Sequence, residues 1–441
     1  MRASRAWMLF LAIAAVALGW GWSVSREAVP ARPGDQITAV DAAWYSGLPL
    51  EPASATAAYL ARIPAGVRAR GEEYSDSRLA AFGLRLLALF LATAVICFTG
   101  FTANLRDWAG RTFSRSVVID AAVSLQYFAA LYALSLPAEI YADFVRPHRF
   151  GLSDQPFVAW LGDTLVNWAV FTSFYMIAVL AIYRIIRRRP AQWVAWALGV
   201  YLVLRTVYAL LEPNVIEPLA NDFHPMADGP QKQMILALAR ANGVNDAAIV
   251  VSDASLQSRV SNAHVSGLGG ATRISIDDTT LRRNSDASLR FVMAHELGHF
   301  VLDHETAAIV TDSLIMGCGF VFVALGMRVV LGSFGARWRM SGSADIASVP
   351  VFWGLFLLWG YLSLPVSNGI ARAYEHQADL FGLNASQEPG GMADFMIHDA
   401  DRSRLHPTAI EYALFYDHPS DAERVATAMQ WRAERTGGHE R

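Results

Sequence analysis

Two histidines four residues apart, with a glutamate beside the first, form the densest piece of chemistry in this 441-residue chain: His295-Glu296-Leu297-Gly298-His299. On a helix, residues four apart are separated by only about 40° around the axis, so both imidazoles face one way and can share one tetrahedral metal ion. Glu296 is too close in sequence to complete that tetrahedron, but it is placed to take a proton from a water activated by the metal. The bland alternative is a helix with two surface histidines; a match of this kind arises by chance in roughly one chain in a hundred. A catalytic zinc needs three protein ligands and one open position. His304 lies five residues past His299, about 140° around the helix from it, so direct ligation by His304 is the weaker alternative and a place beside the ligands the stronger. The better third ligand is in Arg372-Ala-Tyr-Glu375-His-Gln-Ala-Asp379. Glu375 and Asp379 are again four apart, so a ligand carboxylate and a supporting one can share a face. Asp379 can then hold the N–H of a ligand histidine and fix its tautomer. Alone, this segment would be an ordinary charged helix face; the histidine motif upstream changes its meaning.

These residues sit in an unusually apolar chain. Hydrophobic residues make up 54% and charged residues only 17%, against about 25% charge in ordinary soluble domains. Collagen, disorder and coiled coil are excluded, and a net charge of -3 offers no basic field for nucleic acid. Cys97 and Cys318 both lie in apolar runs and cannot make a secreted-type disulfide framework. A membrane-spanning helix needs about 20 apolar residues, and seven runs qualify: Ala6 to Ser23, Leu79 to Ala103, Val117 to Leu136, Phe157 to Ile186, Trp193 to Leu211, Ala307 to Leu331 and Ala347 to Val366. The first, behind Arg2 and Arg5, reads equally as a signal segment or anchor. Residues 24–78, rich in Ala and Pro, read as an extramembrane loop with little core. Asp120, Asp163, Asn167 and Asp312 fall within or beside apolar runs, and should face an interior or water rather than lipid.

The remaining polar material forms two blocks, 212–306 and 367–441. Two consecutive spans return the chain to the side it left, so both blocks can build one domain. In the first, Gln231 to Ala241 has helical periodicity with Gly243 as its cap. Ala248 to Val251 and Arg273 to Ile276 are short β-branched runs flanking the turn-rich Gly267-Leu-Gly-Gly270, which predicts a small hairpin or edge pair. From Ser285 or Asp286, a good N-cap, the pattern is helical to about His304. The fold class is therefore mainly α: a polytopic membrane protein with about seven transmembrane helices and a small α+β domain, formed from two sequence blocks, that carries the histidine motif.

With these residues assembled, the chain resembles the M48 metallopeptidases, and among them the Ste24-like CAAX prenyl proteases, which implies a gluzincin-like peptidase domain. The resemblance rests on His295-Glu-Leu-Gly-His299 with His304, Arg372-x-x-Glu375-x-x-Ala-Asp379, His418-Pro-Ser-Asp-Ala-Glu-Arg424 and Asn262-Ala-His-Val-Ser-Gly267. It implies one Zn2+ per chain held by His295, His299 and Glu375, with Glu296 as general base and Asp379 and His304 in support. It further implies that His418, catalytic, and Asn262, Arg424 and Arg372, substrate-binding, lie by the cleft. His264 stands where the family often has an aromatic residue, and Ala371 where it often has Ser; both bear on substrate preference. The implied reaction is hydrolysis of peptide bonds in peptides or membrane-associated proteins, lipidated ones included. A membrane-protein quality-control role of the HtpX type is an alternative. An intramembrane site-2-type protease would place the histidine motif in a long apolar span, whereas Arg282, Arg283, Asp286 and Arg290 crowd it here. A receptor or scaffold with a structural metal would have no use for Glu296.

Placement follows from arginine, because Lys232 is the only lysine. The connections Arg106 to Arg115, Arg184 to Arg189 and Arg328 to Arg339 carry ten Arg, against Arg146 and Arg149 in the short loop on the other side. Positive charge marks cytoplasmic loops. This predicts a multi-pass protein of the cell (inner) membrane with its zinc domain on the non-cytoplasmic side, whereas analogy with the eukaryotic Ste24 enzymes puts that domain in the cytosol.

Overall fold

A computed structural model describes residues 2–24, 42–267 and 272–437. Among the described residues, six helices are long and apolar enough to cross a membrane: Ala65–Phe98, Ser116–Arg149, Phe157–Arg188, Trp193–Leu219, His304–Trp338 and Ile346–Ser386; Arg5–Gly21 is a shorter apolar helix. They match the seven expected runs. One run breaks where the sequence reads as continuous: the helix ends at Phe98, Gly100 takes a left-handed conformation (φ 62°), and a new helix runs Phe101–Thr112. The Arg2–Val24 helix packs against that turn, with Trp7, Phe10 and Phe101 in edge-to-face contact. A buried cluster running from Phe10 through Tyr127, Tyr183 and Phe352 joins the spans.

The carboxylates in the spans are matched. Asp120 accepts from both terminal nitrogens of Arg187. Asp312 lies 3.8 Å from Arg205 Nε. Asp163 accepts from Gln155 Nε2 at 2.6 Å and from Gln257 Nε2 at 3.1 Å, which ties a span to the extramembrane domain. Asn167 is exposed on its helix.

The two polar blocks form a single domain around a second core that includes Ile235, Ile274, Phe291, Met293, Leu383, Met392 and Val425. Its sheet has four strands in the order β1-β2-β4-β3: β1 (Phe223–Pro225), β2 (Ala248–Ser252), β3 (Ala263–Ser266) and β4 (Arg273–Asp277). The expected hairpin between the second and fourth of these is corrected: β2 and β4 pair in parallel, Ile249 opposite Ile274. β3, which lies between them in sequence, supplies the antiparallel partner of β4, Val265 opposite Ile274. The signal was missed because Ala263–Ser266 holds a single strongly β-forming residue, Val265. Of the turn-rich stretch 267–270, only Gly267 is within the described residues.

The expectation of a coreless loop over 24–78 is also overturned where it can be followed, residues 25–41 lying outside the described ones. Glu51 caps a helix, Pro52–Ala61, by accepting from Ala53 N at 3.0 Å and Ser54 N at 2.6 Å. The membrane helix itself begins at Ala65, well before its apolar stretch. Ala55, Tyr59, Ile63 and Val67 lie four apart and are all buried in the domain core. That stripe was hidden by the Pro- and Ala-rich composition around it.

Gly71 shows how tightly this segment docks, since a Cβ there would stand 2.4 Å from the Ala400 carbonyl oxygen and 2.5 Å from that of Ser403. Gly71→Ala is expected to cost about 1–3 kcal/mol, seen as a lowered melting temperature of the detergent-solubilised protein. Gly83→Ala, with open space around it, should leave the melting temperature unchanged.

Candidate active site

The histidine motif lies on the helix Asp286–Val301, whose N-cap Ser285 accepts from Ser288 N at 3.1 Å. This helix runs beneath β3 and across the long helix Val349–Ser386, which leaves the membrane and continues into the domain. The crossing is close at two glycines. A Cβ at Gly382 would stand 3.1 Å from His295 N, and one at Gly298 would stand 3.1 Å from Phe381 Cβ. Backbones that approach this far bring the end of the second helix within side-chain reach of the first.

Three ligand atoms converge there. His295 Nε2 lies 3.1 Å from His299 Nε2 and 3.2 Å from Glu375 Oε2, and His299 Nε2 lies 3.4 Å from Glu375 Oε1. Zinc bonds of about 2.0–2.1 Å imply tetrahedral edges of about 3.3–3.4 Å, so the spacing suits one ion held by His295, His299 and Glu375. The donor set supports the fit: Glu375 Oε2 is buried and receives no hydrogen bond. Burial opposes a charged imidazole at His295, yet Asp379 and Glu375 outweigh it and lift its pKa to about 10. Two carboxylates facing two imidazoles make this a place that favours a cation.

Each histidine is oriented from behind. His295 Nδ1 lies 3.0 Å from Asp379 Oδ1. Asp379 is gripped by Arg424, whose Nε donates at 2.8 Å and whose Nη2 donates to the other oxygen. His304 Nδ1 meets His299 Nδ1 at 3.0 Å, and its Nε2 meets Gln377 Oε1 at 3.3 Å. With Nε2 of His299 free to bind metal, its Nδ1–H donates to His304, whose Nε2–H donates to Gln377. His304 thus stands beside the ligands, outside the group of atoms that could hold the ion.

On the open side, Glu296, Asn262, His418 and Arg424 line a pocket of about 130 Å³ together with His295. Burial raises the Glu296 carboxyl above its ordinary range, with His295 and His299 pulling the other way. His418 is half-exposed; its Nε2 lies 3.1 Å from Glu375 Oε2 and its Nδ1 2.9 Å from Asp417 Oδ1.

The two arginines expected at the substrate are both bonded within the protein. Arg424 is buried and commits two of its three nitrogens to Asp379, so it positions His295 through that carboxylate. Arg372 is not among the residues that line the pocket. Its Nη1 donates to the carbonyls of Tyr412 (2.9 Å) and Tyr416, and its guanidinium lies 4.3 Å over the Tyr412 ring. It thereby holds the segment that delivers His418. The sequence reading missed Gln377, Asp417 and the pair His264 Nε2 to Glu217 Oε1 at 2.9 Å. Only the folded chain brings these residues together, because their spacing matches no motif.

The comparisons with known proteins agree with this geometry. The model described as peptidase family M48 matches residues 226–432, and that described as CAAX prenyl protease N-terminal, five membrane helices, matches residues 68–222. The chain is 24% identical over 370 residues to the uncharacterized metalloprotease YhfN of Bacillus subtilis, spanning 81% of this chain and 84% of that protein. It is 28% identical over 345 residues to CAAX prenyl protease 1 of Saccharomyces cerevisiae, spanning 72% and 74%. The crystal structure of S. mikatae Ste24p superposes with a TM-score of 0.65 at 20% identity, covering 96% of this chain and 98% of that one, a likeness of fold.

Asp379→Asn should weaken metal binding about 10–100-fold, measured by titrating the chelated full-length protein with metal, because the carboxylate that fixes the His295 tautomer is lost. It should also lower the melting temperature, since Arg424 is left buried without its counter-charge.

Proposed function

The chain belongs to peptidase family M48 as a Ste24-like membrane metalloprotease, and from that premise we propose how its residues divide the work. The observation that carries the reading is the convergence of His295, His299 and the Glu375 carboxylate beside a pocket that Glu296 also lines. The ion is zinc, as two imidazoles, a carboxylate and an open position suit it. Held there, zinc supplies Lewis acidity toward a water and a peptide carbonyl. Glu296 accepts the proton from the attacking water and delivers it to the leaving amine. His418, half-exposed across the pocket with Asp417 behind its other nitrogen, donates to the oxygen of the scissile carbonyl as negative charge develops on it. Asn262, at the entry to edge strand β3, holds substrate backbone. Asp379 with Arg424, and His304 with Gln377, keep the two ligand imidazoles in place.

The domain division follows the chain: 1–23 and 79–211 give the first five spans, 307–366 the last two, and 212–306 with 367–441 the peptidase. To these the structure supports adding residues 42–78, which share the peptidase core. Several relatives are named CAAX prenyl proteases, so a C-terminally prenylated peptide is the first substrate to offer. His264 on β3, paired with Glu217, puts a polar side chain where the family often has an aromatic one, which favours a second, broader reading in which the substrates are other membrane proteins. Glu296→Gln should keep its zinc, by metal analysis, and lose cleavage by about 100- to 10,000-fold; undiminished cleavage would refute the assignment.

We also infer that the peptidase domain faces away from the cytoplasm in a cell (inner) membrane. The three arginine-rich connections meet at one end of the bundle, through Arg187 on Asp120, Arg339 on Asp107 and Arg106 on Asp345, and such charge stays in the cytoplasm. A cysteine at the exposed Ala227 should react with an impermeant maleimide applied to the non-cytoplasmic face; labelling only after the cytoplasmic face is opened would reverse the orientation.

A further inference from the structure

The peptidase chemistry uses none of the ten arginines at the far end of the bundle. The connections that hold them have three carboxylates at hand, Asp107, Asp120 and Asp345, and all three are taken. Arg106 pairs with Asp107 at 2.8 Å and also with Asp345, Arg339 pairs with Asp107, and Arg187 Nη2 donates to Asp120 Oδ1 at 3.0 Å. Arg187 Nε donates to the Ala344 carbonyl at 2.9 Å, and Asp345 Oδ2 accepts from Ser341 N at 2.9 Å. These bonds pin the 339–345 loop against the ends of the spans.

That loop forms one wall of a recess of about 490 Å³ between the spans Phe157–Arg188, Trp193–Leu211 and His304–Trp338. Its depth is apolar, floored by the buried side chains of Ile186, Trp193, Met327 and Met340. Its mouth is polar, with Arg328 facing Ser341 and Ser343 across it. Arg328 is exposed and has no carboxylate partner among the described residues, and the same holds for Arg188 and Arg189 beside the recess wall at Pro190.

A small inorganic anion would neutralise the mouth and leave the apolar walls uncovered. A neutral apolar ligand would fill the walls and leave the arginines unmatched. A molecule with a phosphate at one end and hydrocarbon at the other satisfies both, and the recess lies where the spans Phe157–Arg188 and Trp193–Leu211 end in their arginine-rich connection. We propose that this recess binds one anionic phospholipid of the adjacent leaflet. Its phosphate sits at Arg328 and the Ser341 and Ser343 hydroxyls, and its acyl chains descend along Trp193, Met327 and Leu331. The site is separate from the metal cluster and does not depend on the protease reading.

The test uses the full-length protein reconstituted in bilayers of equal parts phosphatidylglycerol and phosphatidylcholine, with retained lipids counted by native mass spectrometry. The wild type should retain one phosphatidylglycerol per chain in preference to phosphatidylcholine. Arg328→Gln should cut that retention about five-fold, the size expected for one arginine near an anionic headgroup. Gly332, one turn after Arg328, lines the recess and meets no atom within 4 Å of where its Cβ would stand; Gly332→Phe should place its ring in the recess and abolish retention. Arg337 lies over the Phe98 ring, 5.1 Å from its centre, and does not line the recess. Arg337→Gln removes the same charge and should leave retention unchanged. Melting temperatures of the three variants confirm folding. Equal retention of the two lipids by the wild type overturns the proposal, and so does equal loss in Arg337→Gln and Arg328→Gln, which would indicate a diffuse field of charge. Displacement of the lipid by inorganic phosphate at physiological ionic strength would also overturn it, by showing that the anion alone is the ligand.

Discussion

Gly298 and Gly382 let the helix Asp286–Val301 press against the helix Val349–Ser386 more closely than side chains would permit, with Gly382 meeting the backbone of His295 itself. Everything at the metal centre depends on that distance. His295 and His299 can share an ion only if a third ligand reaches them, and Glu375 lies on the other helix, 76 residues further along from His299. The intervening chain is the last pair of membrane spans. The membrane thus takes part in the geometry of the site: it fixes where the second helix emerges, and the glycine crossing fixes how near it comes.

Buried charge imposes the next constraint. Asp379 is almost wholly buried, and a carboxylate in that position is tolerable only with a counter-charge and hydrogen bonds. Arg424 supplies both through its forked guanidinium. The chain from Arg424 through Asp379 to His295 therefore orders the site from the C-terminal helix inward, and the chain from Gln377 through His304 to His299 does the same from the side. Arg372 acts one step further out, on the carbonyls that place His418. Both arginines are also held within the protein, Arg424 by the Asp379 carboxylate and Arg372 by two backbone carbonyls.

The two ends of the helix bundle have opposite characters. At one, charge is gathered into a dense network about the three candidate metal ligands. At the other, arginines outnumber carboxylates and stand open at the membrane edge. The first arrangement suits chemistry; the second is the basis for the proposed orientation and for the proposed lipid site.

Much of this was legible without coordinates. The helical spacing of His295 and His299, the four-residue interval from Glu375 to Asp379, the seven apolar runs and the bias in arginine are local or periodic features, and local geometry is set by residues near in sequence. Parallel pairing of β2 with β4, and the burial of Tyr59 and Ile63 under the C-terminal helix, were not legible, because each partner lies far off in the chain and either segment alone is compatible with several arrangements. The same holds for the bonds that commit Arg372 to the Tyr412 and Tyr416 carbonyls and Arg424 to Asp379. The sequence by itself determined which residues could bind a metal and which segments cross a bilayer. Only the tertiary structure decided which charges meet, since a buried ion pair is settled by the competition among all groups brought to one place, and that place exists only in the folded chain.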